Sequence, residues 1–208
     1  MIADFLRHSK RLSQLCIVHY ALCISCSEGY ESAYPSMVSE MVIATADDNG
    51  ALSAITTDDD RKYVVANAPT GYIPRARYRV MATFYPTDGG KVSLRELALC
   101  HVLRDSTSCV RHDPTSVVSA WRGGRFINMQ LSPSTRGERT HYWGFAIDSV
   151  VGRVHHVSLH HGQNGDPYAY STTVYASLPI DSTHAAAGDT IVLTVHTGKD
   201  IHSWNFVR

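Results

Sequence analysis

The sequence predicts an all-β protein: a small Greek-key barrel followed by an antiparallel β-sandwich. Two observations predict it. Short apolar runs alternating with period two recur from residue 40 to the end. Gly, Asn-Gly, Asp and Pro clusters separate those runs at short intervals, as turns between strands require.

The elements follow in order. Met41 to Thr45 is a β-rich run stopped by Asp47-Asp48-Asn49-Gly50, the strongest short hairpin signal. Ala51 to Thr57 returns, Asp58-Asp59-Asp60 turns, and Lys62 to Ala66 is a third strand. After a Pro/Gly loop, Arg77 to Tyr85 places Tyr78, Val80, Ala82 and Phe84 on one face, and Arg77, Arg79, Met81, Thr83 and Tyr85 on the other. Lys91 to Leu103 fits either a helix period or a last strand near Leu99 to Arg104. Five β segments in so short a stretch suit a small barrel.

Arg111-His112-Asp113-Pro114 marks a boundary. Val117 to Trp121, Phe126 to Leu131, Tyr142 to Val150, Arg153 to His161 and Tyr170 to Ile180 then alternate. Thr190 to Thr197 and Ile201 to Val207 close the chain as a hairpin. Repeated strands with turns between them are the sandwich signature.

The N-terminus carries an address. Arg7, Lys10 and Arg11 precede the apolar stretch Leu12 to Ile24, which is too short and interrupted to cross a hydrocarbon core. Leu22-Cys23-Ile24-Ser25-Cys26 resembles a lipobox, although Cys23 and Ile24 depart from its usual Leu and Ala or Ser. The expected organisation is a signal peptide over 1–25, a flexible acidic stalk over 26–39, a barrel over 40–105 and a sandwich over 112–208. Cys26 is the expected lipid attachment site, and membrane lipid is the partner it reaches. The protein is expected to be exported and membrane-anchored, at the outer membrane.

Nineteen basic and nineteen acidic residues cancel, so the electrostatic footprint of a nucleic-acid binder is absent. With 44% hydrophobic residues, a packed core is expected rather than disorder. Once Cys26 is acylated, Cys100 and Cys109 remain as an even pair in an oxidising compartment. They form either a disulfide, contributing about 2–3 kcal/mol in the chain-entropy picture, or two buried thiols.

No catalytic residues, cofactor or metal site is expected. His155, His156, His160 and His161 share one predicted strand, but residues four apart there lie about 13 Å apart, too far to share a zinc. They read as solvent-facing strand histidines. Asp47-Asp48-Asn49-Gly50 and Asp58-Asp59-Asp60 read as solvated turns, since the ligands of a calcium loop do not follow. No nucleophile elbow or phosphate-binding loop occurs. Trp121, just before Gly123-Gly124, reads first as a core plug ahead of a tight turn and second as a ligand-stacking platform. Tyr63, Tyr78 and Tyr85 read as barrel core before they read as a binding face.

Several of these pieces occur together in one family. A lipoprotein cysteine and Asp-Asp-Asn-Gly precede Asp113-Pro114 and Trp121-x-Gly-Gly-x-Phe126-Ile127-Asn128-Met129. His161-x-x-Asn164-Gly165-Asp166 and Gly188-Asp189-Thr190 follow. This combination resembles the NigD-like lipoproteins of Bacteroidota, whose architecture is an N-terminal OB-type domain and a C-terminal β-sandwich. The resemblance implies architecture and location, and it assigns no catalytic residue. The function expected is a binding or interaction module for an envelope protein or glycan. A bacteriocin-associated accessory or immunity role is the alternative, and an envelope hydrolase comes last because no carboxylate pair is spaced for it.

Overall fold

A computed structural model describes residues 36–107 and 110–208. Residues 37–208 form one compact unit. It is all-β, as the alternation predicts. The first five strands are β1 (Val38–Ala46), β2 (Leu52–Thr57), β3 (Lys62–Val65), β4 (Arg77–Thr87) and β5 (Lys91–Val102). They pair in the order β3-β2-β1-β4-β5, and β5 returns to pair in parallel with β3, closing a barrel. The alternation of β4 sends Val80, Ala82 and Phe84 inward, where they meet Val42, Ala44, Leu52, Ile55, Val92 and Leu94. Tyr63 and Tyr78 pack against that core.

The ambiguous stretch from Lys91 is one 12-residue strand rather than a helix. Tertiary pairing decides this. Lys91 to Leu99 complete the barrel with β3 and β4, while Cys100 to Val102 leave to pair with a later strand.

The remaining strands are β6 (Ser116–Gly123), β7 (Phe126–Ser132), β8 (Ser134–Thr135), β9 (Tyr142–Val151), β10 (Val154–Gly162), β11 (Tyr170–Ser171), β12 (Val174–Pro179), β13 (Thr190–His196) and β14 (Ile201–Val207). Strands β12, β7 and β6 extend the barrel sheet beyond β5, giving eight strands in all. A second sheet, β14-β13-β10-β9, shares a core with this extension. Ile127, Met129, Leu131, Ala176 and Leu178 pack there with Phe145, Val157, Leu159, Ile191, Leu193 and Val195.

Two details depart from the local pattern. The run from Tyr170 to Ile180 splits, because Tyr170–Ser171 pair with β8 while Val174 onward joins β7. The sandwich is not purely antiparallel either: β10 pairs in parallel with β13, and β5 with β12. Each parallel pair joins strands separated by a long connection, as a crossover demands.

Candidate functional site

Alternation that buries one face of β4 and β7 leaves Arg79, Met81 and Thr83, and Asn128 and Gln130, on the opposite face. Register brings Met41 beside Met81, Met81 beside Ala98, and Tyr175 beside Gln130. On β6, Trp121 stands opposite Asn128. Two adjoining clefts result. One, of about 560 Å³, is lined by Trp121, Gly123-Gly124, Asp58, Asp59, Arg61 and Glu40, with Ser39 and Met81 among its other walls. The second, of about 580 Å³, shares Ser39 and Met81 and runs on to Glu96, Gln130 and Tyr175.

A buried polar network forms the end of the first cleft. Arg79 donates to both carboxylate oxygens of Asp58 at 2.5 and 2.8 Å, to Asn128 Oδ1 at 2.9 Å and to Ser177 Oγ at 3.2 Å. Asn128 Nδ2 donates to Asp58 at 2.8 Å, and the Ser177 hydroxyl donates to Asn128 Oδ1 at 2.6 Å. The Arg79 guanidinium also lies 4.1 Å from the centre of the Phe126 ring. Arg79 is therefore buried and Asp58 partly so, with the cation hydrogen-bonded at every guanidinium nitrogen, the condition under which a buried charge is tolerated.

Asp58 thus corrects the expectation of a solvated turn. Asp59 and Asp47 do serve local ends. Asp59 pairs with Arg61 at 2.6 Å, and Asp47 accepts from the amides of Asn49 and Ala51.

The double glycine has a specific cause. A Cβ on Gly123 would stand 2.1 Å from Asp58 Oδ2 and 2.6 Å from Asn128 Nδ2. One on Gly124, at φ +53°, would stand 2.1 Å from the Asp58 carbonyl oxygen. The glycines let the Asp58 turn reach the β6–β7 hairpin. Trp121 itself is half-buried and faces the cleft, which corrects its reading as a core plug.

The histidines also depart from expectation. His155, His160 and His161 are buried, with His160 only 1% exposed. The reason is tertiary. The chain around Asp105 and Ser106 pairs along β9, and Arg111 to Asp113 pair with His161 of β10. Ser106 Oγ lies 2.8 Å from His160 Nδ1, and the His112 ring stacks on His196 at 4.1 Å and meets His160 edge-on at 5.0 Å. Burial, then the nearby His112, hold His160 and His196 below the ordinary imidazole value. On the other face, His161 stacks on Trp143 at 4.1 Å and its Nε2 lies 3.0 Å from His141 Nδ1. His155 lies between the Thr183 carbonyl and the Asp189 carboxylate.

Two aspartates organise loops. Asp166 accepts from the Thr135 hydroxyl and from the amides of Arg136, Gly137, Glu138 and Arg139. Led by Thr135, these donors hold its carboxyl far below the usual range. Asp189 binds Arg153 and the Ala186 amide, which bring it down to about 2.

Cys100 lies 3.2 Å from the Ser177 hydroxyl, and burial pushes its thiol up to about 11. The predicted signal peptide, Cys26, most of the stalk, and Cys109 lie outside the described residues. Among the described residues no group of three or more His, Cys, Asp or Glu is placed to hold a metal ion. No described helix is long and apolar enough to cross a membrane.

The geometry can be set beside known proteins. Residues 101–206 match the family model described as the NigD-like C-terminal beta sandwich domain. A NigD-like immunity protein from Bacteroides caccae is similar in structure, with a TM-score of 0.64 at 21% identity over 84% of this chain and 98% of that one. A protein described as toxin-related, from Parabacteroides distasonis, gives 0.68 at 15% identity over 83% and 93%. One described as a lipoprotein, from Bacteroides fragilis, gives 0.56 at 12% over 83% and 98%. At such identities the likeness speaks for the fold. No curated protein is similar enough in sequence to match.

Proposed function

We propose that this chain, which belongs to the NigD-like family, is a lipid-anchored binding module of the cell envelope whose contact surface is the Trp121 cleft. The observation that carries the reading is an open cleft beside a hydrogen-bonded, internally neutralised network. Asp58 is paired with Arg79, and Arg61 with Asp59 and Glu40, so the walls offer hydrogen-bonding groups with little net charge. A half-buried indole beside such groups suits a neutral, hydroxyl-rich ligand such as an envelope glycan. The ring takes the C–H face of a sugar, and the polar walls take its hydroxyls. The carboxylates nearest the cleft are held in ion pairs, so a non-catalytic role fits better than hydrolysis.

Acylation of Cys26 supplies the anchor in this reading, and likeness to a protein described as a lipoprotein supports envelope association. The test is binding of soluble envelope oligosaccharides to the full chain in detergent, followed by tryptophan fluorescence. Saturable binding that Trp121→Ala abolishes is expected. Absence of binding across such a set would defeat the glycan reading. For the anchor, Cys26→Ala should release the chain from the membrane fraction or leave an unprocessed precursor.

A second reading, an immunity or toxin-related role, is favoured by the descriptions of two structural neighbours. Its test is survival of a toxin-sensitive Bacteroides strain that expresses this chain, compared with one that does not.

A further inference from the structure

Four groups form a continuous chain of contacts beneath the strap at residues 111–114. Asp166 Oδ2 lies 3.3 Å from His141 Nε2, His141 Nδ1 lies 3.0 Å from His161 Nε2, and His161 Nδ1 lies 2.9 Å from the Asp113 carbonyl oxygen. Both ends can only accept. The carbonyl has no proton, and the Asp166 carboxylate is held ionised by a hydroxyl and surrounding amides. Three hydrogen bonds therefore need three N–H groups, and two neutral imidazoles carry only one each.

We propose that this chain is a proton-binding site, in which His141 is a buried imidazolium donating to Asp166 from Nε2 and to His161 from Nδ1. His161 then stays neutral and gives its single N–H to Asp113. Burial, which lowers the affinity of His161 for a second proton, agrees with that division. The His141 side chain is 9% exposed and that of Asp166 is 0%, so the two opposite charges are desolvated together and compensate each other.

From β5, His101 is held low by burial and by His141. From β9, Trp143 covers His161. From the strap, the Asp113 carboxylate accepts the Gln163 amide. From the loop before β9, Arg136 to Arg139 present backbone amides to Asp166.

The consequence is a proton-dependent latch. The imidazolium ties the 135–141 loop to β10 and, through His161, to the strap. Once the proton leaves, one of the three bonds must break, because neither end can donate. A proton bound in the folded state and absent from the unfolded chain gives stability that is present in acid and lost as pH rises.

The experiment is NMR of the full chain with labelled histidine ring nitrogens, in detergent. Both nitrogens of His141 should carry protons at neutral pH, where an exposed histidine has largely lost its second. A bare ring nitrogen on His141 at neutral pH would overturn the proposal. The second arm is denaturant stability against pH for the wild type and His141→Gln, a neutral side chain that keeps two N–H donors. The wild type should lose stability from neutral toward alkaline pH, and the variant should lose that dependence. An equal offset at every pH would mean a purely structural role and would also overturn the proposal. Neither arm depends on ligand binding at the Trp121 cleft.

Discussion

Arg79 on β4 and Asp58 in the β2–β3 turn meet through two hydrogen bonds, and the same guanidinium reaches Asn128 and Ser177 in the C-terminal half. The barrel is thereby fastened to the extension of its own sheet by hydrogen bonds from this ion pair to Asn128 and Ser177 as well as by strand pairing.

Arg79→Ala should be among the most damaging single changes in this chain. It leaves Asp58 without its cation, and breaking a buried pair from one side typically costs about 3–5 kcal/mol. Arg79→Lys should rescue little of this, because an ammonium cannot serve Asp58, Asn128 and Ser177 together. Denaturant unfolding midpoints check both.

Gly123→Ala should destabilise by about 1–3 kcal/mol through overpacking against Asp58 and Asn128. Gly124→Ala adds an unfavourable positive φ to a backbone clash and should cost more. In Asp58→Ala the penalty of Gly123→Ala should shrink, since the side chain it meets is gone. A double-mutant cycle measures that coupling.

Trp121→Ala should cost clearly less than the about 3–5 kcal/mol of a core tryptophan, because the ring is half-buried at a cleft. Thermal melting gives the comparison, with Phe145→Ala in the sandwich core as the reference for full burial.

Acid should act through Asp189. Its carboxyl is lowered in the fold, from 3.8 to about 2, by Arg153 first and the Ala186 amide next. The stability it contributes is present above about pH 4 and is lost as pH falls toward about 2. Asp189→Asn should remove that part of the acid dependence while lowering stability at neutral pH. Unfolding midpoints across this range test the sign.

The strands and their inward faces were legible in the sequence because alternation is a local property with a period of two. Val80-x-Ala82-x-Phe84 and Ile127-x-Met129-x-Leu131 each reach a core as their spacing indicates. The Trp121-x-Gly-Gly motif was legible as a turn, and the hairpin at Asn49-Gly50 as a hairpin.

What the motifs are for was decided by the tertiary structure. Arg79 and Ser177 are 98 positions apart, and nothing local tells Arg79 from Arg77 as the member of a buried network. Gly123 is explained only by Asp58 arriving from another strand connection. The histidines of β10 carry the pattern of an exposed strand face, yet Ser106 and His112, brought in by a segment passing along β9 and β10, bury His160. Spacing encodes which way a side chain points from its own strand. Which partner meets it, and so whether an aspartate is solvated or paired and whether an imidazole holds a proton, depends on contacts that exist only once distant segments have packed together.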